Sequence, residues 1–257
     1  MISKFNHDSV EKKTNGGSNS HFRQILSMVA VALLLANCAS AHEWGYEGAH
    51  GPGNWGGSCS EGKSQSPIDL PASAANTVQP IQFNYGPTAG KVFNNHGETI
   101  RVNFAPGNSI TVAGKSYALL QMHYHTPSEH KVSGYGAPLE LHLVHKSAAG
   151  ELAVVGVFLQ QGNKHPAQDL VWNSLPKEPG VQKEITINPA DFLPASRSYF
   201  NYPGSLTTPP CSEGVNWHVM KNPIYVSAEQ VGFYKERIPM NSRPVQSLNG
   251  RGVVESN

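Results

Sequence analysis

Two short stretches of the 257-residue chain carry histidines at β-strand spacing, Gln121-Met122-His123-Tyr124-His125 and Glu140-Leu141-His142-Leu143-Val144-His145. Side chains two residues apart on a strand point to the same face. Gln121, His123 and His125 therefore line one face, and Met122 and Tyr124 the other. In the second run Glu140, His142 and Val144 share a face, while His145 points away. The connection contains Pro127, Gly134, Gly136 and Pro138. It is long enough for the two runs to pair as antiparallel neighbours, which brings His142 beside His123 and His125. A lone H-x-H is a weak signal, but an E-x-H of matching parity strengthens it. Three neutral imidazoles with no fourth protein ligand describe a catalytic zinc site, since structural sites close with four ligands, usually including thiolate. The fourth position is then open to water. Gln121 and Glu140 each precede a ligand histidine by two residues. Each is placed to accept from the other ring nitrogen, which fixes the tautomer and raises ligand basicity. His130, His145 and His218 lie in or near apolar runs and read as structural or partly exposed histidines rather than as ligands.

The elements that must hold these residues are short. Ile81–Tyr85, Thr99–Phe104 and Ser109–Val112 alternate, and Tyr117–His125, Leu139–His145 and Leu152–Leu159 follow as further strand candidates. Pro-Gly, Ala-Gly and Ser-Gly pairs punctuate them, as expected of a mainly β domain. Leu152–Leu159 is apolar on both faces, which suits a central, doubly covered strand. The pattern predicts helices over Pro166–Leu175 and Ser227–Glu236, the second with Ser227 as N-cap. From His42 to about Leu70 the chain is rich in Gly, Trp and Ser and reads as surface loops. No internal repeat or interior linker is present.

The first 41 residues read as a signal peptide. A polar segment with Lys4, Lys12, Lys13 and Arg23 precedes an apolar run from Ile25 to Ala36. Ala39-Ser40-Ala41 follows as an A-x-A type cleavage site. The run is short for a membrane span. A lipoprotein signal with Cys38 as the acylated residue fits less well, because Asn37 stands where such signals want a small residue. Cleavage after Ala41 leaves 216 residues, 42–257, with 15 basic and 16 acidic side chains. Charged residues make up 14% of the chain, against about 25% in average proteins. No basic stripe exists, which argues against nucleic acid as a partner. Of three cysteines, cleavage removes Cys38 and leaves Cys59 and Cys211. An even pair in an exported protein suggests a disulfide. Export to a periplasm or the exterior is the expected destination, with no transmembrane helix in the mature chain. A monomer and a dimer are equally compatible with the sequence.

The metal motif and its surroundings resemble the α-class carbonic anhydrases of the exported bacterial type. The resemblance spans the mature chain: His42-Glu43-Trp44-Gly45-Tyr46, Gln65-Ser66-Pro67-Ile68-Asp69, Gln121 to His130, Glu140 to His145, Gly204 to Pro210, and Asn241-Ser242-Arg243-Pro244. It implies a single domain on a twisted, mostly antiparallel sheet of about ten strands with small peripheral helices. It places one zinc ion on His123, His125 and His142 at the base of a conical cleft. It implies that Asn241 accepts from His125 through its backbone carbonyl. Thr207 would accept a hydrogen bond from the attacking hydroxide and donate to Glu129, with Thr208 on the same polar side. Val144, Val154, Leu206 and Trp217 would form the apolar substrate pocket, and exported members pair cysteines at the places of Cys59 and Cys211. The implied reaction is reversible hydration of carbon dioxide to bicarbonate and a proton. Family members often carry Asn-Asn-Gly-His, whose histidine relays that proton. Here the run is Asn94-Asn95-His96-Gly97-Glu98, transposed and one residue longer. His96 is the candidate shuttle, since an imidazole titrates near neutral pH; Glu98 is the alternative occupant of that place.

Two other functions share these features. A catalytically inactive binding module on the same fold would be marked by loss of a ligand histidine. Ester hydrolysis at the same zinc site ranks as a side activity, because a narrow apolar pocket favours a small linear substrate. Function must be read from the site, not the fold.

Overall fold

The apolar run near residue 155 becomes the middle of a large sheet. The computed structural model describes residues 44–74, 77–178 and 180–256. The expected signal peptide, with Cys38, lies outside the described residues, as do His42 and Glu43. In chain order the strands are β1 (Asp69–Leu70), β2 (Gln82–Asn84), β3 (Thr88–Asn95), β4 (Thr99–Phe104), β5 (Ser109–Val112), β6 (Lys115–His125) and β7 (Lys131–Val132). They continue as β8 (Leu139–Ser147), β9 (Leu152–Gln161), β10 (Lys183–Ile187), β11 (Tyr199–Ser205), β12 (Glu213–Met220), β13 (Ile224–Val226) and β14 (Val254–Glu255). The helices are short: α1 (Ser58–Glu61), α2 (Pro166–Ser174) and α3 (Ala228–Lys235).

Twelve strands form one sheet, two more than the sequence and resemblance suggest, with main order β10-β3-β4-β6-β8-β9-β12-β11-β14. β13 joins at β9, and β2 and β5 extend beside β6. Most pairs are antiparallel, but β9 pairs in parallel with β12 and β13. Parallel neighbours need a long crossover, and here α2, β10 and β11 lie in the chain between β9 and β12. β1 and β7 make a separate parallel pair.

The two sheet faces have different fates. One buries Val92, Ile100, Val102, Met122, Tyr124, Leu141, Leu143 and Val155 against Val171 and Trp172 of α2 and Val231 and Tyr234 of α3. The other buries Val144, Val154, Trp217 and Val219 with Ile68 and Phe200. β9 is buried from Ala153 to Leu159, as its two-sided apolarity predicts. α3 begins with a reciprocal capping box between Ser227 and Gln230, which satisfies two otherwise orphaned donors. α2 is started by Pro166, with His165 as its N-cap.

Two histidines are sealed into this core. His145 Nε2 lies 2.5 Å from the Tyr85 hydroxyl, and His145 Nδ1 3.3 Å from the Ala153 carbonyl oxygen. His218 packs edge-on to Tyr199 with ring centroids 5.1 Å apart, and its buried Nε2 has no hydrogen-bond partner. Burial lowers both imidazoles to a pKa of about 3, and for His218 the neighbouring His145 adds to the effect. The unfolded chain takes up protons near 6.5, so it binds more protons than the fold below that pH. Stability must therefore fall as pH drops from about 6.5 toward 3. Replacing His218 by Leu should reduce that slope by about 1.4 kcal/mol per pH unit, the weight of one proton. Urea denaturation between pH 7 and 5 measures it, and an unchanged slope counts against the assignment.

Candidate metal centre

The site follows from register. β6 pairs antiparallel with β8 so that His123 faces His142 and His125 faces Glu140. The three imidazole centroids lie 5.0 Å (His123–His125), 5.3 Å (His123–His142) and 4.6 Å (His125–His142) apart. One nitrogen from each falls within 4.8 Å of the others.

Each ring is fixed through its other nitrogen. His123 Nδ1 donates to Gln121 Oε1 at 2.8 Å, His125 Nδ1 to the Asn241 carbonyl at 2.8 Å, and His142 Nε2 to Glu140 Oε1 at 2.9 Å. This leaves Nε2, Nε2 and Nδ1 as the converging lone pairs. His125 Nε2 is buried without a partner, which is costly unless something electrophilic occupies the space between the rings. Burial, chiefly, holds all three imidazoles below their usual pKa, His125 at about 4, and mutual repulsion adds to this for His123 and His142. Neutral imidazoles are what zinc requires. The donor set fits zinc.

Glu140 and Asn241 hold this geometry. Glu140 is fully buried. Its Oε2 accepts from the backbone N–H of Glu129 and of His130, both at 2.8 Å; Oε1 accepts from His130 Nδ1 at 2.7 Å and from His142. Burial opposes its ionisation, but His130 and His142 outweigh that and hold the carboxyl well below its usual range. His130 continues the chain to the Tyr202 hydroxyl at 2.6 Å. The cluster His130–Glu140–His142 is thus already occupied by its own hydrogen bonds. Gly156 lies opposite His142, where an added Cβ would sit 3.0 Å from Glu140 Oε1. The buried Asn241 side chain accepts from Thr126 N–H at 2.6 Å and donates to the carbonyls of Glu98 and Tyr124 at 2.7 and 2.9 Å. One carboxamide therefore ties together the end of β6 and the turn before β4.

Among the remaining expected residues, Trp217 packs edge-on to His142 with ring centroids 4.8 Å apart. Val144, Val154 and Trp217 are buried in one cluster, with Leu206 partly buried against it. Glu129 Oε1 accepts from Arg243 N–H at 2.9 Å. Its buried Oε2 makes no well-formed hydrogen bond, although the Thr207 hydroxyl lies near enough to favour the carboxylate. Burial raises Glu129 to about 7, against the opposing influence of His142, Arg243 and Thr207. The Thr207–Thr208 turn is anchored nearby, where Cys211 N–H donates to the Thr208 carbonyl at 2.9 Å and Cys211 is disulfide-bonded to Cys59. Thr208 itself is half-buried.

His96 is exposed at the tip of the β3–β4 hairpin, with φ of 53°. The structure does not place it among the zinc-facing groups. Glu98 is half-buried, accepts from Asn95 Nδ2 at 3.1 Å, and acts electrostatically on the buried Tyr46 hydroxyl together with Glu129.

Sequence reasoning assigned no role to two further residues. Arg243 is buried, binding Glu129 through its backbone and Gln65, Ser66 and Cys59 through its guanidinium. Its place in the Asn241–Pro244 motif was the available signal. Arg101 pairs with His123 in register from β4, and the parity of Thr99–Phe104 relative to β6 would have pointed to it.

A β-sheet protein with three converging imidazoles has a donor set that could hold one metal ion. The comparisons make this specific. The eukaryotic-type carbonic anhydrase family profile matches residues 50–257. A carbonic anhydrase of Nostoc sp. is 40% identical over 93% of this chain and 99% of its own length. The α-carbonic anhydrase of Thermovibrio ammonificans, solved with the inhibitor sulfanilamide, has a TM-score of 0.80 and 41% identity over 84% of this chain and 100% of its own. Dioscorin, solved with ascorbate, is similar with a TM-score of 0.72 and 30% identity, over 84% of this chain and 98% of its own. The chain belongs to the α-carbonic anhydrase family, whose named enzymes are lyases.

Replacing Glu140 by Gln turns an oxygen that accepts two N–H groups into an amide donor. Zinc affinity should fall about 10–100-fold, the usual effect of losing an orienting partner. Competition against a chromophoric chelator measures this; unchanged affinity would remove Glu140 from the metal-orienting role.

Proposed function

We propose that the protein is a zinc-dependent carbonate dehydratase, catalysing reversible hydration of carbon dioxide to bicarbonate. The observation that carries this reading is the trio of free ring nitrogens, one of them buried and unpartnered, beside a carboxylate and an apolar pocket. Bound zinc supplies Lewis acidity that lets water act as a nucleophile near neutral pH. The protein supplies position. In its ionised form, which predominates above a pKa of about 7, Glu129, held by Arg243 N–H, can accept only hydrogens, so it draws the Thr207 hydroxyl proton toward itself. The Thr207 oxygen is then left to accept, which aims the attacking water's lone pair at carbon. This is an orientation effect. Val144, Val154, Leu206 and Trp217 form an apolar wall suited to a small, linear, uncharged substrate. Thr208 completes the polar side.

Proton departure falls to His96 or Glu98 at the hairpin tip. The Cys59–Cys211 disulfide suits an oxidising compartment and supports export to a periplasm or beyond. No helix among the described residues is long and apolar enough to cross a membrane.

The ascorbate complex of dioscorin supports the second reading, a binding module. The three neutral histidines with their fixed tautomers weigh against it, because a binding module has no need of them. Replacing His142 by Ala should remove stoichiometric zinc and lower carbon dioxide hydration by more than about 100-fold, beyond the loss of an orienting partner, with the fold retained. Chelator should do the same to the native protein. Metal analysis with a stopped-flow hydration assay checks both; chelator-insensitive hydration would sink the reading. Separately, His96→Ala should slow turnover several-fold in weak buffer and recover with added imidazole. Unchanged turnover, with slowing in Glu98→Gln instead, transfers the proton to Glu98.

A further inference from the structure

The metal-facing side of the sheet changes character from strand to strand. One row across it reads Phe93, Arg101, His123, His142, Gly156 and Val219; the next reads Lys91, Asn103, Gln121, Val144, Val154 and Trp217. The β3–β4 side carries the cations, and the β9–β12 side is apolar. Within these rows Arg101 is the cation next to a ligand histidine. Its Nε donates to Asn103 Oδ1 at 2.9 Å, which fixes the base of the guanidinium on this face. Its two terminal nitrogens donate to no group among the described residues, and the side chain is half-buried. It lies close enough for its charge to act on His123. Of the buried carboxylates near the three histidines, Glu140 has both oxygens hydrogen-bonded, and Glu129 accepts from Arg243 N–H through Oε1 while its Oε2 has no hydrogen-bond partner.

We propose that Arg101 is a specificity-determining residue that strengthens the binding of bicarbonate and other small monovalent anions at the metal centre. The inference rests on the zinc reading above. A fixed cation attracts an anion and leaves neutral carbon dioxide unaffected. Arg101 acts on the charged partner of the reaction, while the apolar residues act on the uncharged one.

The test uses the full-length protein with cobalt in place of zinc, whose visible spectrum reports anion binding without turnover. Thiocyanate and bicarbonate are titrated into the native protein, Arg101→Gln and Arg101→Lys at low and high salt. Arg101→Gln should bind both anions about fivefold more weakly at low ionic strength, with the difference shrinking as salt screens the charge. Arg101→Lys should stay within about twofold of native. Equal affinity in native and Arg101→Gln overturns the inference, and so does equal weakening in both variants, which would make Arg101 a packing residue. A native protein that takes up no cobalt overturns the metal reading itself, and the inference with it.

Discussion

A slip of one residue between β6 and β8 would turn His142 toward the face packed by α2 and α3. Strand side chains alternate, so register decides face for every residue at once. Here register is held from both sides. Met122, Tyr124, Leu141 and Leu143 are fully buried against the helices, and any slip would expose them. The same pairing that buries this core sets His123 opposite His142. The metal geometry is therefore a by-product of hydrophobic alternation, and the core stabilises both together.

Outer contacts convert this coarse placement into an exact one. Gln121 and Glu140 come from the same strands as the rings they orient. Asn241 comes from far along the chain and fixes both the His125 tautomer and the turn before β4. Glu140 satisfies four donors with two oxygens. Such a buried carboxylate is tolerable because every lone pair direction has a donor. The network is thus all-or-nothing, with little room for partial solutions.

Much of this was legible in the sequence, for identifiable reasons. β4, β5, β8 and β9 announce themselves by alternation or by continuous apolarity, and α3 by Ser227. Gln121 and Glu140 were readable as partners because i and i−2 share a strand face. Asn241, Thr207 and Glu129 were reachable only through resemblance, because loops bring them in and no periodicity encodes a loop. β11 was missed since Asn201, Pro203 and Gly204 suit neither alternation nor strand propensity. The parallel pairing of β9 with β12 depends on a crossover, which local pattern does not specify. The short strands β1, β7 and β14 carry no sequence signal of their own. The His96 loop departs from the family pattern, and the structure keeps His96 at an exposed tip.

The order of the strands has a further meaning for how such proteins diversify. β4, β6, β8 and β9 are neighbours in the sheet in the same order as along the chain. The ligand histidines and the strands flanking them thus form one contiguous block of sequence, while Thr207, Trp217 and Asn241 come from later segments. A gene exchange that swaps this block whole carries the His123 and His142 rings with their orienting partners Gln121 and Glu140, but leaves the His125 ring dependent on whatever residue stands in the place of Asn241. The block is in this sense a cassette that can move only between chains that keep the Asn241 contact, while the rest of the lining is inherited separately.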